Sequence, residues 1–329
     1  MKKLIWGGSI LLLLVVVWLA GPRFPEPVLN TDFPRIEIAA DRIVNYIEEQ
    51  EAAYAVKPDN QSLVLWGDGV GKKTEYVLLY LHGFSASRYE AYPVTHDFVR
   101  EFHVNAYLPR LAEHGLQGDD ALLNMTPERL YASAREALAI AHNLGNKVVI
   151  MGTSTGCTLA LMLAADFPAK VEGLILYSPN IRINNLFAPL LSGPWGLQIA
   201  RLAYGGKYRQ SEDAPDSKIC QYWNCSYRLE PTVYLQQLLD ARMTEAEFAK
   251  VQAPVFLGYY YKDKKHQDPT IDVKAALWMY DALGTPEDRK VKIAFPNAGA
   301  HVIACELTSG SFREVEEETF TFFREMILK

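Results

Sequence analysis

Short apolar runs alternate with stretches of helical spacing along most of this chain of 329 residues. The apolar runs are rich in β-branched and aromatic residues, as is typical of buried strands. They lie at residues 62–66, 75–81, 104–108, 147–151, 171–178, 255–261 and 291–295. Helical spacing occupies most of the intervals, including a stretch to about Leu144 that Thr126 is predicted to cap. Strands that alternate with helices predict an α/β fold, with a mostly parallel central sheet flanked by helices.

The alternation is interrupted once, which predicts the domain organisation. Residues 184–253 are rich in Trp, Tyr, Leu and Pro and lie between two predicted strands. Since structureless loops of that length are uncommon, we interpret them as an inserted, largely helical cap. The core is then formed by residues 61–183 and 254–329, and residues 22–60 predict a linker followed by an amphipathic helix.

The first 21 residues differ from the rest of the chain. Lys2 and Lys3 precede an uncharged stretch from Leu4 to Gly21, and a helix of that length rises roughly 27 Å, close to the hydrocarbon thickness of a bilayer. The pattern predicts an uncleaved signal anchor or transmembrane helix over residues 1–21, with the remaining chain in the periplasm or at the cell surface. The alternative is secretion after signal cleavage, although the bulky Trp18 disfavours a cleavage site there.

Charge and cysteine content restrict the partners. The net charge is −6, and the richest basic run, residues 262–265, contains an acid, so nucleic acid is not an expected partner. No cysteine has metal-ligand spacing with nearby histidines, and no metal site is predicted. If the domain is exported, Cys220 and Cys225 could form a disulfide, but the sequence does not favour this over two free thiols.

The strongest chemical signal is the pentapeptide GTSTG at residues 152–156. It follows the apolar run KVVIM and precedes the helical run CTLALMLAADF, which is the context of a nucleophile elbow. In such a turn the serine is strained and exposed above the sheet, and small residues on either side let the backbones pass. This predicts Ser154 as a nucleophile and the amide of Thr155 as an oxyanion donor.

A second donor is expected from the loop after the strand at residues 75–81. His82, Gly83 and Phe84 follow that strand. Gly83 permits a close approach of the loop, so the amide of Phe84 is predicted to complete an oxyanion hole. We interpret His82 as a residue that supports this loop by hydrogen bonds, without a catalytic role.

A general base is expected late in the chain, after the last strand. His301 lies there in a loop of small residues, and we predict that it is the base for Ser154. The acid that orients it is expected after the preceding strand, where two candidates occur. Asp268 is favoured because it heads a turn-like pattern before the next helix, and Asp263, which lies closer to the strand, is the alternative.

Together these motifs make the chain resemble the α/β-hydrolase superfamily over residues 62–329, with the closest likeness to bacterial carboxylesterases and monoacylglycerol lipases. The likeness rests on LHGF at 81–84, YLPRL at 107–111, the elbow, PVFL at 254–257 and the His301 loop. One departure is Cys157, where members commonly have a further glycine.

The resemblance implies a serine hydrolase that uses no cofactor and cleaves a carboxylic ester of a small or lipid-like acyl substrate. The same machinery would serve amide, peptide or thioester hydrolysis. A catalytically silent binding protein of the same fold is the alternative from a different class.

Overall fold

The computed structural model describes residues 15–118 and 120–328. Within them, the centre of the molecule is a sheet of seven strands in the order β1-β3-β2-β4-β5-β8-β9. All neighbouring strands are parallel except β1, which runs antiparallel to β3. The strands are β1 (Leu63–Leu65), β2 (Thr74–Leu81), β3 (Asn105–Leu108), β4 (Gly145–Thr153), β5 (Gly173–Tyr177), β8 (Val255–Tyr259) and β9 (Lys290–Ala294). The predicted fold class is confirmed.

Helices cover both faces of the sheet. They are α1 (Ile43–Glu51), α2 (Val94–Phe102), α3 (Pro127–Leu144), α4 (Thr155–Asp166), α9 (Val273–Ala282) and α10 (Phe312–Phe322). The hydroxyl of Thr126 accepts a hydrogen bond from the Arg129 amide and caps α3, as its position in the sequence predicted.

Side chains of the central strands alternate between two hydrophobic clusters. In β4, Val148 and Ile150 pack on one face of the sheet, and Val149 and Met151 pack on the other. The first cluster is completed by α3, α4 and α9, and the second by α2 and α10. Because both faces are buried, the strands are apolar throughout rather than alternating, which is why they were visible in the sequence.

The segment between β5 and β8 corresponds to the predicted cap, and that name is kept for it below. It contains helices α5 (Gly196–Ala203), α6 (Lys218–Tyr222), α7 (Glu230–Arg242) and α8 (Glu245–Phe248). It also contains a small antiparallel sheet of β6 (Tyr208–Gln210) and β7 (Ser226–Arg228), which the sequence did not predict.

The predicted membrane anchor, and the localisation derived from it, are wrong. No helix in residues 15–118 and 120–328 is both long and apolar enough to cross a bilayer. The first fourteen residues of the predicted segment lie outside the described residues. At its other end, the Trp195 indole donates a hydrogen bond of 3.0 Å to the carbonyl of Val17, so this part of the chain contacts the cap. A hydropathy pattern alone does not show that a segment makes such a contact with the rest of the protein.

The crossing of α4 over the end of β2 leaves no room for a side chain at Gly156. A Cβ there would overlap the carbonyl oxygen of Leu81. We expect Gly156→Ala to lower the free energy of unfolding by about 3 kcal/mol or more, since backbone must move to accommodate the methyl group. Denaturant unfolding measures this effect. Gly206→Ala is the control, because nothing lies within 4 Å of a Cβ at Gly206. A similar loss in both variants would contradict the close crossing.

Candidate active site

Ser154 occupies a strained turn between β4 and α4. Its backbone has φ 54° and ψ −116°, in a region that residues with a side chain rarely adopt. Such a conformation costs about 1–3 kcal/mol and persists only when its surroundings enforce it. Here the Ser154 amide donates to the Tyr177 carbonyl at 2.9 Å, and the Ser154 carbonyl accepts from the Asn180 amide at 3.1 Å.

The two glycines of the pentapeptide allow this turn to close. A Cβ at Gly152 would lie 2.8 Å from the carbonyl carbon of Gly156, so any side chain at that position would collide with the start of α4.

Cys157, the departure from the family pattern, is fully buried at the start of α4. Its Sγ lies 3.0 Å from the Gly152 carbonyl oxygen, and burial raises the pKa of its thiol well above the ordinary value. The thiol is therefore neutral and contributes to packing.

His301 and Asp268 are joined by a short hydrogen bond. His301 Nδ1 lies 2.7 Å from Asp268 Oδ2, and the other carboxylate oxygen accepts the amides of Thr270 at 2.8 Å and Ile271 at 3.1 Å. Burial alone would raise the pKa of Asp268, but the charge of His301 and these hydrogen bonds outweigh it and hold the pKa below its ordinary value. Asp268 is thus an ionised carboxylate that fixes Nδ1, leaving Nε2 as the nitrogen available to act on a substrate or on Ser154.

Asp263 lies elsewhere. It is exposed and binds His266, with 2.8 Å between Asp263 Oδ2 and His266 Nδ1. Its other oxygen accepts the amides of Lys265 and His266, and the pKa of Asp263 falls to about 2, chiefly through the hydrogen bond to His266. Of the two candidate acids, the geometry therefore joins only Asp268 to His301.

The loop after β2 brings a second backbone amide to the site. A Cβ at Gly83 would lie 3.2 Å from the Cβ of Ser154, so the loop passes directly beside the serine. In the part of the chain that the structure describes, neither the Phe84 amide nor the Thr155 amide donates a hydrogen bond to the protein. Two unused donors at the start of α4 and on the adjacent loop are the arrangement that an oxyanion needs.

His82 holds that loop in place. Its Nδ1 lies 2.9 Å from the Gly83 carbonyl, and its Nε2 accepts the amide of Leu111 at 3.1 Å. An acceptor at Nε2 requires the proton on Nδ1, which then donates to Gly83. Burial lowers the pKa of His82 to about 4, so the ring stays neutral near pH 7. These contacts agree with the supporting role predicted for His82.

One cavity of about 370 Å³ opens at this site. Ser154 and His301 both line it, together with Phe84 and Thr155. The cap supplies the opposite wall through Ile219, Trp223, Tyr227 and Leu235. These four side chains form an apolar wall, and the cap also lines the cavity with polar side chains, namely Arg209, Ser211, Asp213, Asn224 and Thr232.

The family model described as the alpha/beta hydrolase family matches residues 78–305, which is more than half of the chain. The chain belongs to the alpha/beta hydrolase family. The predicted superfamily is confirmed, and the expectation of a hydrolase is confirmed with it. No protein of curated function matches the sequence significantly.

Solved structures share the fold of this alpha/beta hydrolase at low sequence identity. One of the metagenome-derived lipolytic enzymes LipS and LipT is 16% identical with a TM-score of 0.66, and the match covers 82% of this chain and 99% of that one. Est1E from Butyrivibrio proteoclasticus, solved with ferulic acid, is 16% identical with a TM-score of 0.54, covering 82% and 96%. A monoacylglycerol lipase from Paleococcus ferrophilus is 14% identical with a TM-score of 0.52, covering 79% and 98%.

Of two further features of this hydrolase, the sequence analysis left the first open and missed the second. The structure pairs Cys220 with Cys225 in a disulfide, and Cys225 lines the cavity. Glu90, which is 2% exposed, also lines the cavity. An acid a few residues after an HG pair is typical of a solvated turn, so no pattern in the sequence distinguished it.

The hydrogen bond between Asp268 and His301 predicts that Asp268, and not Asp263, is needed for activity. Asp268→Asn removes the charge and changes the ring tautomer, so we expect kcat for a hydrolysed substrate to fall by about 10³–10⁴-fold. Steady-state kinetics measure this effect. Asp263→Asn is the matched control, and we expect its kcat to stay within about threefold of the wild type. Equal losses in the two variants would contradict the distinction between the two acids.

Proposed function

We propose that this alpha/beta hydrolase cleaves a carboxylic ester through an acyl-enzyme on Ser154. The observation that carries the proposal is the single cavity lined by Ser154, by the Asp268-bound His301 and by two unused backbone amides. The solved structures described above show only a shared fold, yet the descriptions of two of them, a lipolytic enzyme and a monoacylglycerol lipase, favour esters as the substrate class.

The mechanism follows from these groups. His301 Nε2 takes the proton of the Ser154 hydroxyl as its oxygen attacks the carbonyl carbon of the ester. The carbonyl π electrons move onto oxygen, and the amides of Phe84 and Thr155 stabilise the resulting oxyanion. When the oxyanion collapses, the C–O bond breaks and the alcohol leaves with the proton from His301. A water molecule, activated by the same imidazole, then hydrolyses the acyl-enzyme. Asp268 stabilises the imidazolium in both steps.

The cavity favours small acyl groups. Its volume of about 370 Å³ lies at the lower end of the roughly 300–1,000 Å³ that is typical of small-molecule sites. Trp223 and Tyr227 place flat, apolar surface opposite the serine, which suits a short aliphatic or aromatic acyl group.

Covalent labelling tests the nucleophile. We expect a fluorophosphonate probe to label the wild-type protein, and Ser154→Ala to remove both the label and the ester turnover, the latter by at least ~10³-fold. Ser211→Ala is the control, since Ser211 also lines the cavity but lies in the cap, and it should still be labelled. A label that persists in Ser154→Ala would exclude Ser154 as the nucleophile.

A series of p-nitrophenyl esters tests the substrate class. Because a long acyl chain exceeds the cavity volume of about 370 Å³, we expect kcat/KM for the butanoate to exceed that for the hexadecanoate by at least ~10-fold. Matched butanoyl thioester and anilide substrates are the comparison, and both should be slower than the ester. The proposed ester preference fails if the thioester or the anilide is hydrolysed faster.

A further inference from the structure

Glu90 is a buried acid with no part in the mechanism derived above. It lies in a short 3-10 turn, Arg88–Ala91, that follows the loop of His82 and Gly83. Although it is only 2% exposed, it lines the cavity of Ser154 and His301. A carboxylate is retained in such a place only if specific contacts compensate for its lost hydration.

The contacts of Glu90 connect it to both sides of the proposed oxyanion hole. Its Oε2 accepts the Gly83 amide at 2.5 Å and the Tyr80 hydroxyl at 3.2 Å. The same hydroxyl lies 3.0 Å from Oγ1 of Thr153, the residue that precedes Ser154. The carboxylate is therefore bonded to the loop that carries the Phe84 amide, and through Tyr80 to the strand that carries the nucleophile.

The titratable groups around Glu90 come from three elements. They are Tyr80 on β2, Cys157 on α4, and His301 and Cys305 in the loop that follows β9. Burial raises the pKa of Tyr80 and of Cys157 well above their ordinary values and that of Cys305 to about 12, so all three are neutral. The neighbouring guanidinium of Arg88 is paired with Asp59. Among the titratable groups named here, His301 is the one that gains a positive charge in the proposed mechanism, when it takes the proton of Ser154.

We propose that ionised Glu90 is a positioning residue for the ester hydrolysis proposed above: it fixes the Gly83 amide, and thereby the Phe84 donor, and it stabilises the imidazolium of His301 as that charge forms. The proposal rests on the proposed function, because both effects act on its reacting groups. A carboxylate accepts an amide hydrogen more strongly than a neutral oxygen does, and a buried carboxylate attracts an imidazolium that forms in the same cavity.

The protonation of Glu90 gives the role a measurable signature. Burial raises the pKa of Glu90 to about 7, although the Gly83 amide, the charge of His301 and the Tyr80 hydroxyl each act to lower it. The carboxylate is lost as the pH falls through this value. Because the carboxylate supports both reacting groups, we expect kcat to decline as the pH falls through this value.

The experiment compares Glu90→Gln and Glu90→Ala with the wild-type protein, using ethyl butanoate hydrolysis in a pH-stat. We expect Glu90→Gln, which keeps an acceptor but loses the charge, to lower kcat by about 10-fold, and Glu90→Ala by about 100-fold, with KM changed by less than about threefold. In Glu90→Gln the part of the acid limb with a midpoint near pH 7 should be lost, because the titrating carboxylate is absent.

Glu316→Gln is the matched control. Glu316 is also a buried carboxylate whose pKa is raised by burial, but it lies on α10 beside Arg313 and does not line the cavity. We expect its pH profile to match that of the wild type. Thermal unfolding of each variant separates a change in positioning from a loss of folded protein, and the near-isosteric Gln variant keeps the test valid if Glu90→Ala does not fold.

The outcomes distinguish this inference from the proposed function. If Glu90→Gln has the wild-type kcat and pH profile, or if the Glu90 variants change only KM or stability, the inference is overturned. If the wild-type protein does not hydrolyse the ester and is not labelled by a fluorophosphonate, the proposed function itself fails.

Discussion

The site depends on one steric constraint, the close crossing of the backbone where β4 turns into α4. Gly152 and Gly156 approach each other across the turn, and Gly156 also lies against the end of β2. This contact fixes Ser154 at φ 54° and puts the first amide of α4 beside the loop of Gly83. The strain of about 1–3 kcal/mol is small against the burial energy of a parallel sheet that is covered on both faces.

The parallel strands determine which charged side chains come together at the site. Parallel strands carry their following loops to one edge of the sheet, so the loops after β2, β4, β8 and β9 converge there. Asp268 is stabilised as an anion by two amides and His301, whereas Glu90 has one amide and the Tyr80 hydroxyl. Two buried acids that both interact with His301 thus have different proton affinities, because their hydrogen-bond donors differ.

The cap supplies the side chains that complete the cavity, and these contact the core loop after β2. Phe84, on the core loop, packs edge-to-face on Tyr227 of the cap with 5.2 Å between ring centroids. The disulfide between Cys220 and Cys225 ties α6 to the start of β7 beside this wall. The apolar wall is thereby fixed against the loop that carries one of the proposed oxyanion donors.

Local patterns in the sequence determined much of the fold. Strands buried on both faces must be apolar throughout, and the elbow must carry small residues on either side of its serine, so β2, β4, β5 and the GTSTG turn could be predicted to within a few residues. The order of Ser154, Asp268 and His301 along the chain likewise followed from the succession of strands. The proposed domain boundaries and the roles of these residues stay predictions.

Other features were decided by contacts between segments distant in sequence. Hydropathy predicted a membrane helix near the N-terminus, but it does not show that the carbonyl of Val17 accepts a hydrogen bond from Trp195 of the cap. Spacing alone did not favour the Cys220–Cys225 bridge, and it could not show that Glu90 is buried beside Gly83 and Tyr80. The pattern of apolar and polar residues indicates which parts of a segment are buried. The residue that a buried charge contacts is decided only when distant segments come together in the fold.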